Sequence, residues 1–452
     1  MKQPIRIANA GGFWGDSVDA PVKMVRGGPI DYLTMDYLAE VTMSIMQRQK
    51  SKNPLAGYAK DFIDVMRELF PDVAKRGIKV ITNAGGVNLD SCVESLKAVA
   101  KESGVSGLKI AVVRGDDILD NIDELIGNGA DLSNMESGMP LKEIRESIVS
   151  ANVYLGAAPI ADALAQGADI VITGRVTDTG LTLAPMIHEF GWNSENNDLL
   201  AAGTVAGHIL ECGAQSTGGN YTRWWDVPAY ANIGYPIVEA FDDGSFVITK
   251  HENTGGLINI ESVSEQLLYE MGDPTNYITP DCVADFTSIS LEEDGKDRVR
   301  VTGVKGKPAT DSYKVSVNHF VGYKASGNLT ISGPFAVAKA KKCAEIIWKR
   351  LEDAGCKYEE TSTEYLGLDS SHGEINQMPE QVNEIVLRLG VRDNDKEAIE
   401  RFGKELAPVI TNGPPGITGF AGGRPRAQNI YAYWPALIKK ELIKPEVSIE
   451  TL

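Results

Sequence analysis

This sequence lacks an excess of positive charge, long apolar runs and paired cysteines. Its 44 Lys and Arg stand against 62 Asp and Glu, for a formal net charge of −18. A general nucleic-acid binder needs a basic surface to neutralise phosphates, and attachment to anionic lipid needs the same, so neither partner is expected. A local basic pocket stays compatible with the total, because net charge says nothing about a single site. No run reaches the roughly 20 apolar residues of a membrane span, and the opening MKQPIRIANAGG has no signal-peptide core. The 5 cysteines (Cys92, Cys212, Cys282, Cys343 and Cys356) form no CxxC pair and are odd in number, which points to a reduced, cytoplasmic protein. There is no P-loop, no G-x-S-x-G elbow, no H-E-x-x-H and no kinase motif set, so a standard NTPase, serine hydrolase or zincin is disfavoured.

What is present is regular alternation over the first half of 452 residues, a length that suits two domains or more. Ala151–Asn220 organises it. A strand at Val153–Leu155, a helix at Ile160–Gln166 and a strand at Asp169–Thr173 make a βαβ unit, which favours parallel strands. Upstream strands are expected at Ile5–Ala10, Tyr32–Asp36, Ile78–Thr82 and Leu108–Val113. Between them fall helices at Pro21–Arg26, Leu38–Lys50, Asp61–Lys75 and Ser91–Glu102. Residues 1–220 therefore read as an α/β domain with a mostly parallel sheet flanked by helices. The sheet is expected to be open, since the alternation stops short of the eight strands of a (β/α)₈ barrel.

From about Tyr221 the texture changes. Pro236–Phe241 and Ser245–Lys250 flank an Asp-Asp-Gly hairpin turn, and Arg298–Val304, Lys314–Phe320 and Asn328–Ile331 add strands. Helices are expected at Ser262–Met271, Pro334–Ala354, Gln381–Leu389 and Lys396–Leu406. Residues 221–452 read as an α+β domain.

Candidate site residues lie at strand ends, where open α/β sheets bind their ligands. Asp36 is either an acid–base or metal group, or the cap of the next helix. Gly11 and Gly12 in one Asn-Ala-Gly-Gly turn, and Asn83, Gly85 and Gly86 in another, make two backbone cradles or simply share a turn geometry. Arg114 suits an anionic group, or a surface pair with Asp116 or Asp117. In Gly174-Arg175-Val176-Thr177-Asp178, Arg175 and Thr177 suit an anionic substrate and Asp178 a proton, unless Arg175 and Asp178 are a structural ion pair. Thr217 and Asn220 offer further polar groups. His208 and Cys212 share a helix face and could reach one metal, with His188 upstream, but no second ligand pair has the right spacing. A core histidine is the simpler account, and no metal is expected. Arg424 and Arg426 end a Gly/Pro-rich stretch from Thr411, which either folds over a site or is an exposed loop.

Four stretches carry a family resemblance: Ile7–Asp16 (IANAGGFWGD), Asp31–Met43 (DYLTMDYLAEVTM), Ile172–Asp178 (ITGRVTD) and Ala202–Gln215 (AGTVAGHILECGAQ). They resemble the acyclic terpene utilisation protein A (AtuA) family. That resemblance implies a place in catabolism of citronellol- and geraniol-type compounds through branched acyl-CoA thioesters, but it assigns no catalytic residues. The expected activity is a lyase or hydratase acting on a branched carboxylate or its CoA thioester, with Asp36 or Asp178 moving the proton. Arg175, Asn83 and the glycine-rich turns would hold the oxygen. No cofactor is expected beyond CoA as part of the substrate. The alternative is a subunit that completes a site with a partner protein. A homo-oligomer or a partner subunit is expected.

Overall fold

The computed structural model describes residues 3–375, 382–419 and 422–452. It divides into two compact units, one of residues 1–318 and 433–452 and one of residues 319–432. The division expected between residues 220 and 221 falls inside the first unit.

The first unit is built on five parallel strands: β1 (Ile5–Asn9), β2 (Tyr32–Met35), β3 (Lys79–Thr82), β4 (Lys109–Arg114) and, after an off-sheet β5 (Ile148–Val153), β6 (Ile170–Thr173). Their spatial order is β1-β2-β3-β6-β4. Strands β7 (Ile237–Ala240) and β8 (Phe246–Thr249), then Val299–Thr302 and Ser290–Glu293, extend the sheet antiparallel beyond β1. Glu446–Thr451 closes the other edge against β4. The sheet is open, as the sequence implies, but it takes in strands beyond residue 221. The hairpin after the helical half pairs with β1, a choice that no local pattern encodes.

Apolar residues on both faces explain why the central strands lie buried. Ala8, Leu33, Val80, Val112 and Ile172 face one core, which is covered by α1 (Ala20–Gly27), α3 (Lys60–Arg76) and α4 (Leu89–Glu102). α2 (Glu40–Lys52) precedes α3. In α3, Phe62, Val65, Met66, Leu69, Phe70 and Val73 form the buried stripe, and Gly77 ends the helix in the left-handed region. The opposite face carries Ile7, Ile81, Ala111 and Val171, with α6 (Ala158–Ala165), α7 (Gly180–Phe190) and α8 (Asn197–Leu210). The short α5 (Ile122–Gly127) and α9 (Ile260–Leu268) also join that face.

Two directions of winding follow. The chain passes from β1 through β2 and β3 to β4 with its helices on the first face, then returns from β4 to β6 with α6 on the second. Right-handed crossovers require this change of face when the direction reverses. Helix α4 leaves β3 on one face and α7 leaves β6 on the other, so the switch point at which open sheets form their ligand crevice falls at the carboxyl ends of these neighbouring strands.

In the second unit, antiparallel strands Glu360–Leu366, Glu384–Asp393, Tyr323–Ser332 and Ile417–Gly419 pair around a separate core of Leu329, Ile331, Ile347, Leu387, Leu389 and Phe402. Helices Ala336–Asp353 and Lys396–Glu405 cover it. The helix expected at Gln381–Leu389 is a strand, although Gln381 lies outside the described residues. Ile385, Leu387, Leu389 and Val391 alternate inward with period two, which a helix cannot satisfy. The strands expected at Lys314–Phe320 and Asn328–Ile331 are one continuous strand, Ser312–Ser332. In the Gly/Pro-rich stretch, Phe420 and Ala421 lie outside the described residues.

Candidate active site

Asp36 follows β2 and is buried. The two Asn-Ala-Gly-Gly turns converge on it from the strands on either side. Its backbone N–H donates to the Gly11 carbonyl (2.9 Å), and the Asn83 amide donates to its Oδ1 (2.6 Å). Asn83 accepts in turn from the Tyr37 N–H at 2.7 Å. Asp36 also accepts from the Leu38 N–H (3.0 Å), closing a local turn. It does not cap α2, whose first helical residue is Glu40 and whose cap is Ala39.

Arg175 follows β6, across the crevice, and is 1% exposed. Its guanidinium donates to the Leu38 carbonyl, pairs with Asp178 (2.8 Å) and lies 4.3 Å from the centre of the Tyr154 ring. The Arg175 backbone N–H donates to buried Asp116 at 2.7 Å, and the Asn152 amide donates to the same oxygen at 3.0 Å. A Cβ on Gly174 would lie 2.4 Å from the Asp116 carboxylate, so this turn needs glycine for close approach. Tyr154 donates to Glu40 (3.1 Å), and the Asn318 amide donates to the Glu40 carbonyl (3.2 Å).

The charges are unevenly poised. Burial and the nearby negative charge of Asp178 push Asp36 well above the usual carboxylate range, against the opposing pull of Arg175 and Asn83. Asp178 is raised too, by burial and by Glu40, while Arg175 and a hydrogen bond with Asp36 hold it down. Both members of the Asp36–Asp178 pair are thus pushed toward the protonated form, Asp36 the more strongly. Burial opposes the charge on Glu40, but its own backbone N–H, Arg175 and the Tyr154 hydroxyl outweigh that and hold it below the usual range. Arg175 stays a cation, because Asp178 and its neighbours overcome its burial. Asp178 is deeply set, yet its side chain keeps 35% exposure, which marks it as the member of the pair that lines open space.

A family model for the acyclic terpene utilisation family protein AtuA matches residues 5–449. The chain belongs to the AtuA family. Comparisons with curated proteins and with solved structures return no match. Family membership supports a role in acyclic terpene utilisation. Among the described residues, no helix is long and apolar enough to cross a membrane.

This AtuA family chain brings some of the expected site residues together and scatters others. Asp36, Asn83, Arg175 and Asp178 form one connected group, with the partly exposed Thr177 beside it and its hydroxyl 3.4 Å from that of Thr179. Gly11 belongs to this group through its carbonyl. Gly12, Gly85 and Gly86 are glycines for other reasons. A Cβ there would lie 2.7 Å from the Cys212 carbonyl carbon, 2.7 Å from the Thr173 oxygen and 2.7 Å from the Gly57 oxygen respectively. Arg114 is taken up by Asp90 and Ser448, not by Asp116 or Asp117. Buried Thr217 bonds to the carbonyls of Gly234 (2.6 Å) and Ala214 (2.9 Å). Asn220 lines a separate cavity of about 230 Å³ with Gln215 and Tyr269. Arg424 is exposed in the second unit.

Among the described residues, no group of three or more His, Cys, Asp or Glu could hold a metal. His208 packs edge-on against Tyr277 and Phe286 and is buried, as expected of a core histidine. It also pairs with Glu211 at 3.3 Å. Sequence reasoning passed over Glu211, Glu40, Tyr154 and Asp116. The signal for Glu211 was its position three residues after His208, which puts the two side chains on one helical face.

Proposed function

We propose that the crevice at the ends of β2, β3 and β6 performs proton transfer beside a carbonyl, as a lyase or hydratase on a branched carboxylate or its CoA thioester. One observation carries this reading: Asp36, held by Asn83, and Asp178, paired with buried Arg175, sit together at the fold's ligand-binding position, both raised above the usual carboxylate range. Asp178, the partly open member, exchanges the proton with substrate. Asp36 is a positioning residue that keeps its own proton and so leaves Asp178 as the base. Arg175 tunes Asp178 from behind, since its burial leaves no face for substrate. Thr177, partly exposed beside Asp178, offers its hydroxyl to a substrate oxygen.

The test begins with thermal shifts against branched carboxylates, their CoA thioesters and free CoA. A ligand at a hundred times its dissociation constant stabilises by about 2.7 kcal/mol. Turnover of the best binder then decides. Asp178→Asn should lose about 10²-fold or more. Asp36→Asn keeps a neutral group in place and should lose less, with an altered pH profile. Near-normal turnover in Asp178→Asn would refute the reading.

A second reading, a subunit that completes its site with a partner protein, draws on exposed Phe13, Val41 and Ile45 on the loops and helix that begin at the crevice. Stoichiometric co-purification of a second polypeptide with the native protein would favour it, and a clean homo-oligomer would count against it.

A further inference from the structure

Helix α8 runs across the same end of the sheet, from the loop after β6 to the loop after β1. At Gly207 its backbone rests on the loop after β6, where an added Cβ would lie 2.5 Å from the Thr179 oxygen. One turn later the backbone of its cap, Glu211, and of the next residue, Cys212, rests on the loop after β1, where a Cβ on Gly12 would lie 2.8 Å from the Glu211 backbone oxygen. β2 and β3, with Asp36 and Asn83 at their ends, lie between β1 and β6 in the sheet. The end of α8 that carries Glu211 therefore lies on the β1 side of this sheet end, and the Glu211 carboxyl is close enough to Asp178 to feel its charge.

Its surroundings are built. One carboxylate oxygen meets His208 Nδ1 at 3.3 Å, and the other is buried with no hydrogen-bond partner among the described residues. His208 Nε2 lies 3.1 Å from the Gln266 carbonyl, and the Gln266 amide donates to the His208 carbonyl at 3.1 Å. Gln266 is itself buried, and its side chain meets the Cys212 thiol. An unpartnered buried oxygen such as that of Glu211 calls for a donor from water or a ligand.

We propose that Glu211, partnered by His208, is the second acid–base group of the crevice and gives a proton to the oxygen that leaves the substrate. This rests on the reading of Asp178 as the base. In the elimination direction, Asp178 takes the proton from the carbon next to the carbonyl, and that C–H electron pair becomes the new C=C bond. The C–O bond at the next carbon breaks, Glu211 protonates the departing hydroxyl, and water leaves. Hydration is the reverse. His208 is a positioning residue that holds the Glu211 carboxyl and refills its proton.

The electrostatics agree. Burial raises Glu211 above the usual range, opposed by His208 and helped by Asp178 and Glu270. His208 is raised in turn, because Glu211 and the Gln266 carbonyl outweigh its burial. The other groups facing Glu211 are Cys212 on its own segment and Tyr277 from the strand packed against it, both raised by burial and by the Glu211 charge. Both shifts run in the direction that favours a proton on the pair, which is what a general acid needs.

The test compares two leaving groups. The full-length protein is assayed for elimination of water from a 3-hydroxy-3-methyl-branched CoA thioester, and of chloride from the 3-chloro analogue, which leaves without a proton. Glu211→Gln should lose about 10²–10⁴-fold in water elimination and keep chloride elimination, which also shows that it is folded. Asp178→Asn should lose both. His208→Asn should change the pH profile of water elimination and leave that of chloride elimination alone. A Glu211→Gln protein that keeps both activities, or loses both equally, overturns the assignment. If the wild-type protein eliminates neither group, the reading of Asp178 fails and takes this inference with it.

Discussion

Asp116 shows how much a single buried carboxyl decides. It accepts the Arg175 backbone N–H and the Asn152 amide, yet burial pushes it up to about 7. The folded state therefore holds a proton that the unfolded chain releases near 3.8. Between those values the native protein binds more protons than the unfolded chain, so this group's contribution to stability falls as pH rises. The loss is about 1.4 kcal/mol per pH unit, on the order of 4 kcal/mol in all. Asp116→Asn removes that term. Urea unfolding at pH 5, 6 and 7 should show a smaller fall in stability for Asp116→Asn than for the wild-type protein. Equal slopes would mean that Asp116 is ionised throughout. Residue identities at the site were partly legible in the sequence. Arg175 and Asp178 could be read as a working pair or as an ion pair, and the structure makes them an ion pair set at the crevice. Asp36 could be read as a site residue or a cap, and its burial between two turns excludes only the cap. Asp116 was legible only as a surface partner for Arg114, because nothing local says that Gly174 opens a space into which it turns.

Helix α8 belongs to the next scale. Its sequence, rich in Ala and Gly, reads as a buried helix, and every residue from Leu200 to Leu210 is buried. Sequence could not say that the glycines mark contact lines. The three atoms nearest a Cβ at 207 all belong to Thr179, its backbone oxygen at 2.5 Å and Cα at 2.6 Å among them, so Gly207→Ala must push the helix off the loop that carries Asp178. Overpacking of this kind costs about 1–3 kcal/mol. Gly127, in α5, has nothing within 4 Å of such a Cβ and serves as the control. Gly127→Ala should be neutral or stabilising by up to about 1 kcal/mol. Chemical denaturation of both variants checks the contrast. A Gly207→Ala protein as stable as the wild type would mean that α8 has room to move there. Elements were legible where their period was strong, as in α3. The sequence reads as a helix over Gln381–Leu389 because apolar Val386 falls among the outward positions and blurs the alternation, and only pairing with Tyr323–Ser332 on one side and Glu360–Leu366 on the other makes the period of two decisive.

At the scale of the whole molecule, the chain leaves the first unit at residue 318 and returns at 433. The returning segment is part of that unit's interior, since Trp434, Ala436 and Ile438 are buried in its core and Glu446–Thr451 pairs along β4 from Lys109 to Arg114. The second unit is continuous, and its core shares no residue with those of the first. Composition gave no sign of this arrangement, because an insertion changes which segments pair without changing their local pattern. The two units should therefore behave differently when cut. A fragment of residues 319–432 carries its own core at a size typical of single domains and should unfold cooperatively. A fragment ending at residue 318 lacks the strand that covers β4. It leaves a row of unpaired backbone groups on an apolar strand, which favours association between chains. Circular dichroism melts and size-exclusion chromatography of the two fragments test this. A monomeric, cooperatively folded 1–318 fragment would show that the returning segment is dispensable, and a 319–432 fragment without a melting transition would show that its core is too weak to stand alone.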